Sequence, residues 1–214
     1  MTTTSDLWPP FGLIVRTGDL TLTAVTDADL PGLVDLVRGG IHPPEQMPFS
    51  TPWTDGPVAG MAQRFAQYHW LTRVRFAPDD FDLQLAVRRA GELVGTQGFT
   101  GRAFPVVRSV ETGSWLGARF QGQGIGTRMR RAVCALLFDH LGAVEVTSAA
   151  FLDNPASLAV SRAVGYRPDG VVRLERRGTL ALNQRLVLTP GIFVRGEPVE
   201  VSGAGPLRAY LGFD

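Results

Sequence analysis

Apolar and polar residues follow two different spacings along the chain. Strict alternation predicts a strand with one buried face, and recurrence every three or four positions predicts an amphipathic helix. Alternating or short apolar stretches predict seven strands, at residues 20–24, 81–89, 92–101, 109–120, 145–151, 166–177 and 179–189. Short turns at 90–91 and 102–107 would join the second, third and fourth of these strands as an antiparallel meander.

Helical spacing predicts four helices. The first carries leucines on one face and ends at Gly39 and Gly40. The fourth is the best delimited, because Asn154 suits the N-cap, Pro155 the first helical position and Gly165 the position just after the end. The second, third and fourth helices are predicted at residues 57–76, 126–141 and 154–164.

The predicted element order, β-α-α-β-β-β-α-β-α-β-β, indicates an α/β (α+β) fold with a mixed sheet. Residues 1–189 are predicted to form a single domain, with a long proline-rich loop at 41–56. Residues 190–214 are too apolar for a solvated tail. This C-terminal extension is expected to pack on the domain or on the partner of a homodimer, and a dimer is favoured.

All 21 basic residues are arginine, and lysine is absent from the chain. A P-loop NTPase needs a lysine on its phosphates and a Schiff-base enzyme needs a lysine amine, so both classes are excluded. The net charge of +1 provides no general surface for nucleic acid, and no nucleic-acid partner is predicted.

Cysteine and histidine are sparse. Cys134 is the one cysteine, which excludes an internal disulfide and agrees with a reducing compartment. His42, His69 and His140 lie far apart without the spacing of a zinc site, so no metal is predicted. Neither a long apolar run nor a signal sequence is found, and a cytoplasmic protein without a membrane partner is predicted.

A glycine-rich turn between a predicted strand and a predicted helix carries the strongest chemical signal. Its glycines would let backbone N–H groups approach a ligand, and the helix N-terminus adds free donors and positive partial charge. The turn predicts a phosphate or pyrophosphate site, with a plain structural turn as the alternative. Nearby arginines would add positive charge for the phosphates: Arg119, Arg128, Arg130 and Arg131.

A dinucleotide fingerprint fits this segment less well. That pattern needs G-x-G-x-x-G after the first strand of a βαβ unit, whereas Gly122, Gly124 and Gly126 follow G-x-G-x-G after a meander. The acidic residue at the expected distance, Glu145, falls at the start of the next strand instead of its end. A nicotinamide- or flavin-dependent oxidoreductase stays open as an alternative.

The turn resembles the acyl-coenzyme A signature of the GNAT superfamily of N-acyltransferases. Gln121-x-x-Gly124-x-Gly126 is similar to that signature, R/Q-x-x-G-x-G/A, and it lies between the fourth predicted strand and the third predicted helix, as in the family. The resemblance is strong over residues 80–189.

Two flanking motifs resemble one branch of the superfamily, the RimJ/RimL-like ribosomal-protein N-acetyltransferases. Glu111-x-Gly-x-Trp-Leu precedes the turn, and Asn154-Pro-Ala-Ser157 opens the fourth predicted helix. The resemblance implies a GNAT fold, in which a twisted, mixed, mostly antiparallel sheet with flanking helices is splayed between its fourth and fifth strands. It also implies an acyl-CoA-dependent N-acyltransferase that uses coenzyme A as the acyl carrier.

The resemblance further implies which residues bind coenzyme A. The backbone of Trp115 and Leu116 would pair with the pantetheine arm, and N–H groups in the turn would hold the pyrophosphate. Asn154 has an alternative role as a helix cap, and Arg162 as a solvated surface residue. The full implied set is Trp115, Leu116, Gln121, Gly122, Gln123, Gly124, Ile125, Gly126, Thr127, Asn154, Ser157 and Arg162.

Two side chains are candidates for catalysis by the same resemblance. Glu111 matches the glutamate that acts as general base, through water, in the RimJ/RimL-like branch, and alternation puts it on the same face as Trp115. Ser157 matches the serine that assists the leaving thiolate. The alternatives are an ordinary exposed strand glutamate and a serine that satisfies backbone groups in the first helical turn.

The acceptor side is less well specified. The loop at 41–56 is expected to form one wall of the site with Met47, Phe49 and Trp53. The implied acceptor is an amine: a protein N-terminus, a lysine or a small amine. Acetyl-CoA is the expected donor.

Two alternatives to an acetyltransferase remain open. One is a succinyl-CoA-dependent N-succinyltransferase of the same fold, and the other is a non-catalytic acyl-CoA-binding module. A succinyl carboxylate would need a cationic or hydrogen-bonding partner in the pocket, for which Arg102 and His42 are the candidates.

Overall fold

A nine-stranded sheet runs through the computed structural model, which describes residues 1–212. In chain order the strands are β1 (Ile14–Thr17), β2 (Leu20–Ala24), β3 (Asp80–Arg89), β4 (Glu92–Arg102), β5 (Ser109–Leu116), β6 (Glu145–Phe151), β7 (Arg167–Arg176), β8 (Thr179–Leu188) and β9 (Glu200–Ser202). Across the sheet their order is β7-β8-β6-β5-β4-β3-β2-β1-β9.

Helices cover both faces of this sheet. Neighbouring side chains of β5 show this directly, because Ser114 contacts Arg130 on one face while Trp115 packs against Phe65 on the other. Within the described residues the helices are α1 (Thr4–Leu7), α2 (Leu30–Arg38), α3 (Met61–Val74), α4 (Phe104–Val107), α5 (Ile125–Ala135), α6 (Pro155–Val164) and α7 (Ala204–Tyr210). A π-helical turn, Leu136–His140, continues α5.

Burial explains why these elements form. Alternate residues of β2 are buried, and α5 buries Ile125, Met129 and Val133 along one stripe, as expected for a strand and a helix that each present one face to the core. The apolar core is continuous across both faces and includes side chains from α2, α5 and every strand from β1 to β6.

One neighbouring pair of strands differs from all the others. β5 and β6 run parallel and pair only at Ser109–Glu145, Val110–Val146 and Glu111–Thr147, whereas the remaining strand pairs of residues 1–212 are antiparallel. Beyond the third pair the two strands separate, and this opening is here called the splay. It confirms the predicted mixed, mostly antiparallel sheet, opened between the fourth and fifth predicted strands.

Some predicted boundaries are wrong for local reasons. The strand predicted at 109–120 ends at Leu116, because the chain then enters a 3₁₀ turn, Ala118–Phe120, in which Phe120 is buried. The helix predicted from residue 57 begins only at Met61, after Gly60 with φ of 76°. β1 and β9 are absent from the prediction because four and three residues are too few to show a period.

The C-terminal residues complete the sheet and the core. β9 pairs with β1, and Leu207 of α7 and Leu211, just after the helix, are completely buried. The turn between them needs glycine at 203, where φ is 76° and a Cβ would lie 2.0 Å from the carbonyl oxygen of Gly12. In the part of the chain that the structure describes, no helix combines the length and the apolar character needed to cross a bilayer.

We expect Leu207→Ala to lower the free energy of unfolding by about 2–5 kcal/mol, the usual cost of a buried leucine truncated to alanine. Urea denaturation monitored by circular dichroism measures this change. Leu180→Ala is the matched control, since Leu180 is 56% exposed and its loss should cost under about 0.5 kcal/mol. Equal, small changes in the two variants would show that α7 adds nothing to the core.

The predicted homodimer stays a prediction.

Candidate functional site

The glycine loop (residues 121–127) leads from the 3₁₀ turn that follows β5 into the first turn of α5. Gly122 and Gly124 have φ of 71° and 76°, and a Cβ on either would meet no atom within 4 Å, so both face open space. α5 starts without a side-chain cap, and the N–H groups of its first turn lack intrahelical partners. The loop thus presents free donors and a positive helix end to a ligand.

Glutamine side chains hold this loop in shape. The Gln121 amide donates to the carbonyl oxygens of Leu116 (2.9 Å) and Ile41 (2.8 Å). The Gln123 amide donates to the Arg119 carbonyl at 2.7 Å and its oxygen accepts from Arg89 at 2.8 Å. The side chain of Ile125 is buried in the core. Of the implied ligand contacts in the loop, the backbone groups are therefore the ones left free.

Two of the four arginines predicted to add charge here are neutralised by acidic partners. Arg119 pairs with Glu92 at 2.9 Å, and Arg128 pairs with Asp19 at 2.7 Å and Glu197 at 3.1 Å. A surface cavity of about 450 Å³ lies beside the loop and is lined by Arg89, Ala90, Glu92, Arg119, Phe120 and Gln123. Phosphate groups of a ligand would therefore meet a mixed, partly cationic surface.

Glu111 and Trp115 lie on the face of β5 that carries α3. Glu111 is exposed, and none of the hydrogen bonds or ion pairs described for residues 1–212 involves its carboxylate. It stands opposite Thr147 in the last pair before the splay. Trp115 packs against Trp53 and Phe65, with ring centroids 6.1 and 6.3 Å away.

The start of α6 carries the second predicted motif. Asn154 caps the helix, because its side-chain oxygen accepts the backbone N–H of Ser157 at 3.1 Å. The alternative role of Asn154 as a cap is thus present, and it uses only the side-chain oxygen. The Ser157 hydroxyl is half-buried, with no protein hydrogen bond among the contacts described, and Arg162 is exposed.

A polar network fills the splay on the opposite face, and the sequence did not reveal it. Arg130 of α5, expected to meet phosphates, is buried instead and bonds Gln97 of β4 at 3.2 Å, Ser114 of β5 at 3.0 Å and Ser148 of β6 at 3.0 Å. The Tyr166 hydroxyl bonds Thr112 at 3.0 Å. Helix α5 carries three arginines close together in the sequence, and nothing in the sequence indicates which of them is buried.

The irregular segment between α2 and α3, here called the aromatic loop (residues 39–60), covers the Glu111 face. Its rings stack in a row from His42 through Phe49 to Trp53, with centroids 5.7 and 5.2 Å apart, and Trp53 reaches Trp115 of β5. The expectation that this loop packs beside the candidate site agrees with these contacts. Met47, also expected there, is buried.

Two arginines at the β7–β8 turn fasten the aromatic loop, and together with their partners they are here called the arginine clasp. Arg177 forms two bonds with Asp55, at 2.7 and 2.6 Å, and donates to the Pro44 carbonyl at 2.9 Å. Arg176 donates to the Met47 carbonyl of the loop at 3.3 Å and is itself held by two bonds with Asp153, at 2.9 and 2.5 Å. These bonds hold the pKa of each aspartate below its ordinary value.

Comparison with known proteins places the chain in a family. A family model described as the acetyltransferase (GNAT) domain matches residues 19–167. The chain belongs to the GNAT family. GNAT enzymes are acyl-CoA-dependent N-acyltransferases, so coenzyme A is the acyl carrier, and the glycine loop and splay are the features that fit it.

Solved structures of other GNAT proteins share this fold. RimJ of Mycobacterium smegmatis, in complex with a coenzyme A disulfide, superposes with a TM-score of 0.70 at 19% identity over 94% of this chain and 95% of that one. A Salmonella typhimurium acetyltransferase that modifies the N-terminal serine of ribosomal protein L7/L12 gives 0.65 at 18% identity, covering 81% and 96%. A spermidine N-acetyltransferase chimera from Vibrio cholerae and human sequences gives 0.64 at 17%, covering 80% and 96%.

Metal binding finds no support in this GNAT enzyme within residues 1–212. No group of three or more histidine, cysteine, aspartate or glutamate side chains is arranged there to hold an ion.

We expect Gly124→Ala to weaken acetyl-CoA binding at least about tenfold, because the new Cβ disfavours the positive φ and enters the open space of the cradle. Gly178→Ala is the matched control, with φ of 77° and equally open surroundings in the β7–β8 turn. Calorimetric titration with acetyl-CoA and NADH in parallel measures both variants. Unchanged affinity in Gly124→Ala would mean that the loop is only a structural turn. NADH is the negative control, for which no binding is expected.

The arginine clasp should weaken in acid. Both aspartates have a pKa below 3.8 in the folded chain, so the stability they contribute is complete above 3.8 and is lost as the pH falls through their folded pKa values. We expect hydrogen exchange of residues 39–60, corrected for its intrinsic pH dependence, to accelerate in that range before the sheet opens.

A mutation should reproduce this loosening at neutral pH. Asp55→Asn removes the charge partner of Arg177 and should raise exchange in the aromatic loop. Asp169→Asn, which removes the partner of Arg185 on the same hairpin, should leave the loop unchanged. Equal exchange in the two variants would mean that aromatic packing alone holds the loop.

Proposed function

We propose that this chain transfers an acetyl group from acetyl-CoA to the primary amine of a protein N-terminus, with Glu111 as general base and Ser157 assisting the leaving thiolate. The position of Glu111 carries the proposal, since it stands at the last β5–β6 pair, where the splay begins. A strand rises about 3.3 Å per residue, so about 16 Å separates Glu111 from Leu116 at the glycine loop. An extended pantetheine arm would run along that length of β5.

Glu111 and Ser157 have separate roles in acyl transfer. The Glu111 carboxylate accepts a proton from the acceptor ammonium, and its exposure favours transfer through a water molecule. The freed amine attacks the thioester carbonyl and forms the new C–N bond, and the C–S bond breaks when this tetrahedral intermediate collapses. The second proton lost by the nitrogen passes through water to the thiolate. The Ser157 hydroxyl donates a hydrogen bond to the departing sulfur. A serine hydroxyl is a weak acid, so we assign it this bond and not a full proton transfer.

The aromatic loop supports a protein acceptor. Its row of rings and the clasp leave one wall of the site apolar and fixed, which suits an extended peptide end more than a hydrated polyamine. The Salmonella typhimurium relative acts on the N-terminal serine of a ribosomal protein, which supports the same class of acceptor. A cytoplasmic location and a homodimer remain predictions alongside this proposal.

The acyl group is proposed to be acetyl because the two candidate partners for a succinyl carboxylate are occupied. Arg102 forms an ion pair with Asp80 at the exposed end of β4. His42 bonds Thr54 at 2.9 Å and the Pro43 carbonyl at 2.8 Å. Competition between acetyl-CoA and succinyl-CoA for the enzyme tests this choice.

We expect Glu111→Gln to lower kcat by roughly 10²- to 10⁴-fold, the usual contribution of a general base, with acetyl-CoA affinity nearly unchanged. Steady-state kinetics with an N-terminal serine peptide, together with calorimetry, measures both quantities. Glu200→Gln is the control, because Glu200 is an exposed strand glutamate on β9, far along the sheet from the splay.

Turnover in Glu111→Gln equal to that of Glu200→Gln would remove Glu111 from the mechanism. Tight binding of coenzyme A by the wild type without transfer to any peptide, lysine or small amine would favour the non-catalytic acyl-CoA-binding module.

A further inference from the structure

A buried positive charge lies at the splay. Arg130 is 4% exposed, and its guanidinium reaches three strands at once, through Gln97 of β4, Ser114 of β5 and Ser148 of β6. All three partners are neutral. Ser148 extends the network to β5, since its hydroxyl donates to the Thr112 carbonyl at 3.0 Å.

No carboxylate balances this charge among residues 1–212. The ion pairs described there engage other arginines and leave out Arg130. Two titratable groups adjoin the network, Cys134 and Tyr166. Burial raises the pKa of the Cys134 thiol to about 11 and that of the Tyr166 hydroxyl further, so neither becomes an anion near neutral pH. Burying an unpaired ion is costly, which points to a negative charge that arrives from outside.

The place of this charge matches the place of the reaction. Ser114 and Ser148 flank the splay on its two sides, beyond the pair Glu111–Thr147 where the ladder stops. The guanidinium therefore bridges the opening on the α5 face, while Glu111 occupies the α3 face. Acceptor and base lie on one side of the gap, and the fixed cation lies on the other.

We infer that Arg130 stabilises the negative charge that develops on the thioester during transfer, first on the carbonyl oxygen and then on the departing sulfur. This role rests on the proposed function. When the amine forms the C–N bond, the carbonyl electron pair moves to oxygen. When the C–S bond breaks, that pair returns and sulfur keeps the bonding electrons. Glu111 takes the ammonium proton, and the second proton lost by the nitrogen passes through water to the departing thiolate. Arg130 keeps its own protons throughout, so it acts as a preorganised charge.

The pKa of the thiol of bound coenzyme A reports the electrostatic effect of Arg130 without any turnover. The pKa of that thiol can be measured from the pH dependence of its alkylation with enzyme in excess, with the coenzyme A product quantified by mass so that Cys134 does not contribute. We expect the wild type to lower the thiol pKa by about one unit relative to free coenzyme A. Arg130→Met should abolish the shift and lower kcat about tenfold, and Arg130→Lys should keep part of both.

Controls separate the charge from the hydrogen bonds. Ser114→Ala and Ser148→Ala each remove one neutral partner of Arg130 and should keep most of the thiol shift. Coenzyme A affinity and thermal melting are measured for every variant. If Arg130→Met does not fold, Arg130→Lys and the wild type still decide, because an unshifted or raised thiol pKa in the wild type overturns the inference.

The remaining outcomes also decide. A folded Arg130→Met with the wild-type thiol pKa makes Arg130 a structural link across the splay and overturns the inference while leaving the proposed function intact. A selective loss of succinyl-CoA affinity in that variant, with the thiol pKa unchanged, also overturns it and assigns the charge to an acyl carboxylate. Wild-type protein that binds no coenzyme A overturns both the inference and the proposed function.

Discussion

Backbone polar groups of two separating strands must find partners, and this constraint shapes the whole site. After the third β5–β6 pair, side chains replace the missing ladder. The Thr112 hydroxyl donates to the Thr147 carbonyl, Ser148 donates to the Thr112 carbonyl and Gln97 donates to the Gly113 carbonyl, each at 2.9–3.0 Å. These side chains satisfy the three carbonyl groups nearest the start of the opening, so the strands can part there without leaving those groups unpaired. The start of the opening is therefore built into the fold.

Helix α5 connects the two halves of the site. Its first turn offers the free N–H groups of the glycine loop, and Arg130, less than two turns later, crosses the splay. Gly126 brings α5 close to α6, where a Cβ would meet Val160 at 3.4 Å. Since α6 carries Ser157 at its start, the packing of these two helices sets the distances between the glycine loop, the buried charge and the Ser157 hydroxyl.

Local patterns predicted most of this architecture, and long-range contacts account for the rest. Alternation in β2, the short apolar run of β6 and the Asn154 cap depend on nearby residues, so the sequence alone located them. The glycine loop carried its own motif. Arg130 and the arginine clasp depend on partners many residues away, such as Arg177 with Asp55, and no spacing encodes which arginine on a helix turns inward. Glu111 was located by resemblance, while its exposure is visible only in the structure.

The clasp, like every other ion pair within residues 1–212, is made by arginine, and the whole chain lacks lysine. An enzyme that binds activated thioesters risks acylation of its own side-chain amines. A guanidinium stays protonated and is a poor nucleophile, so these contacts offer no amine to modify. The positive side chains that shape the site are thereby chemically inert to the reaction that the site catalyses.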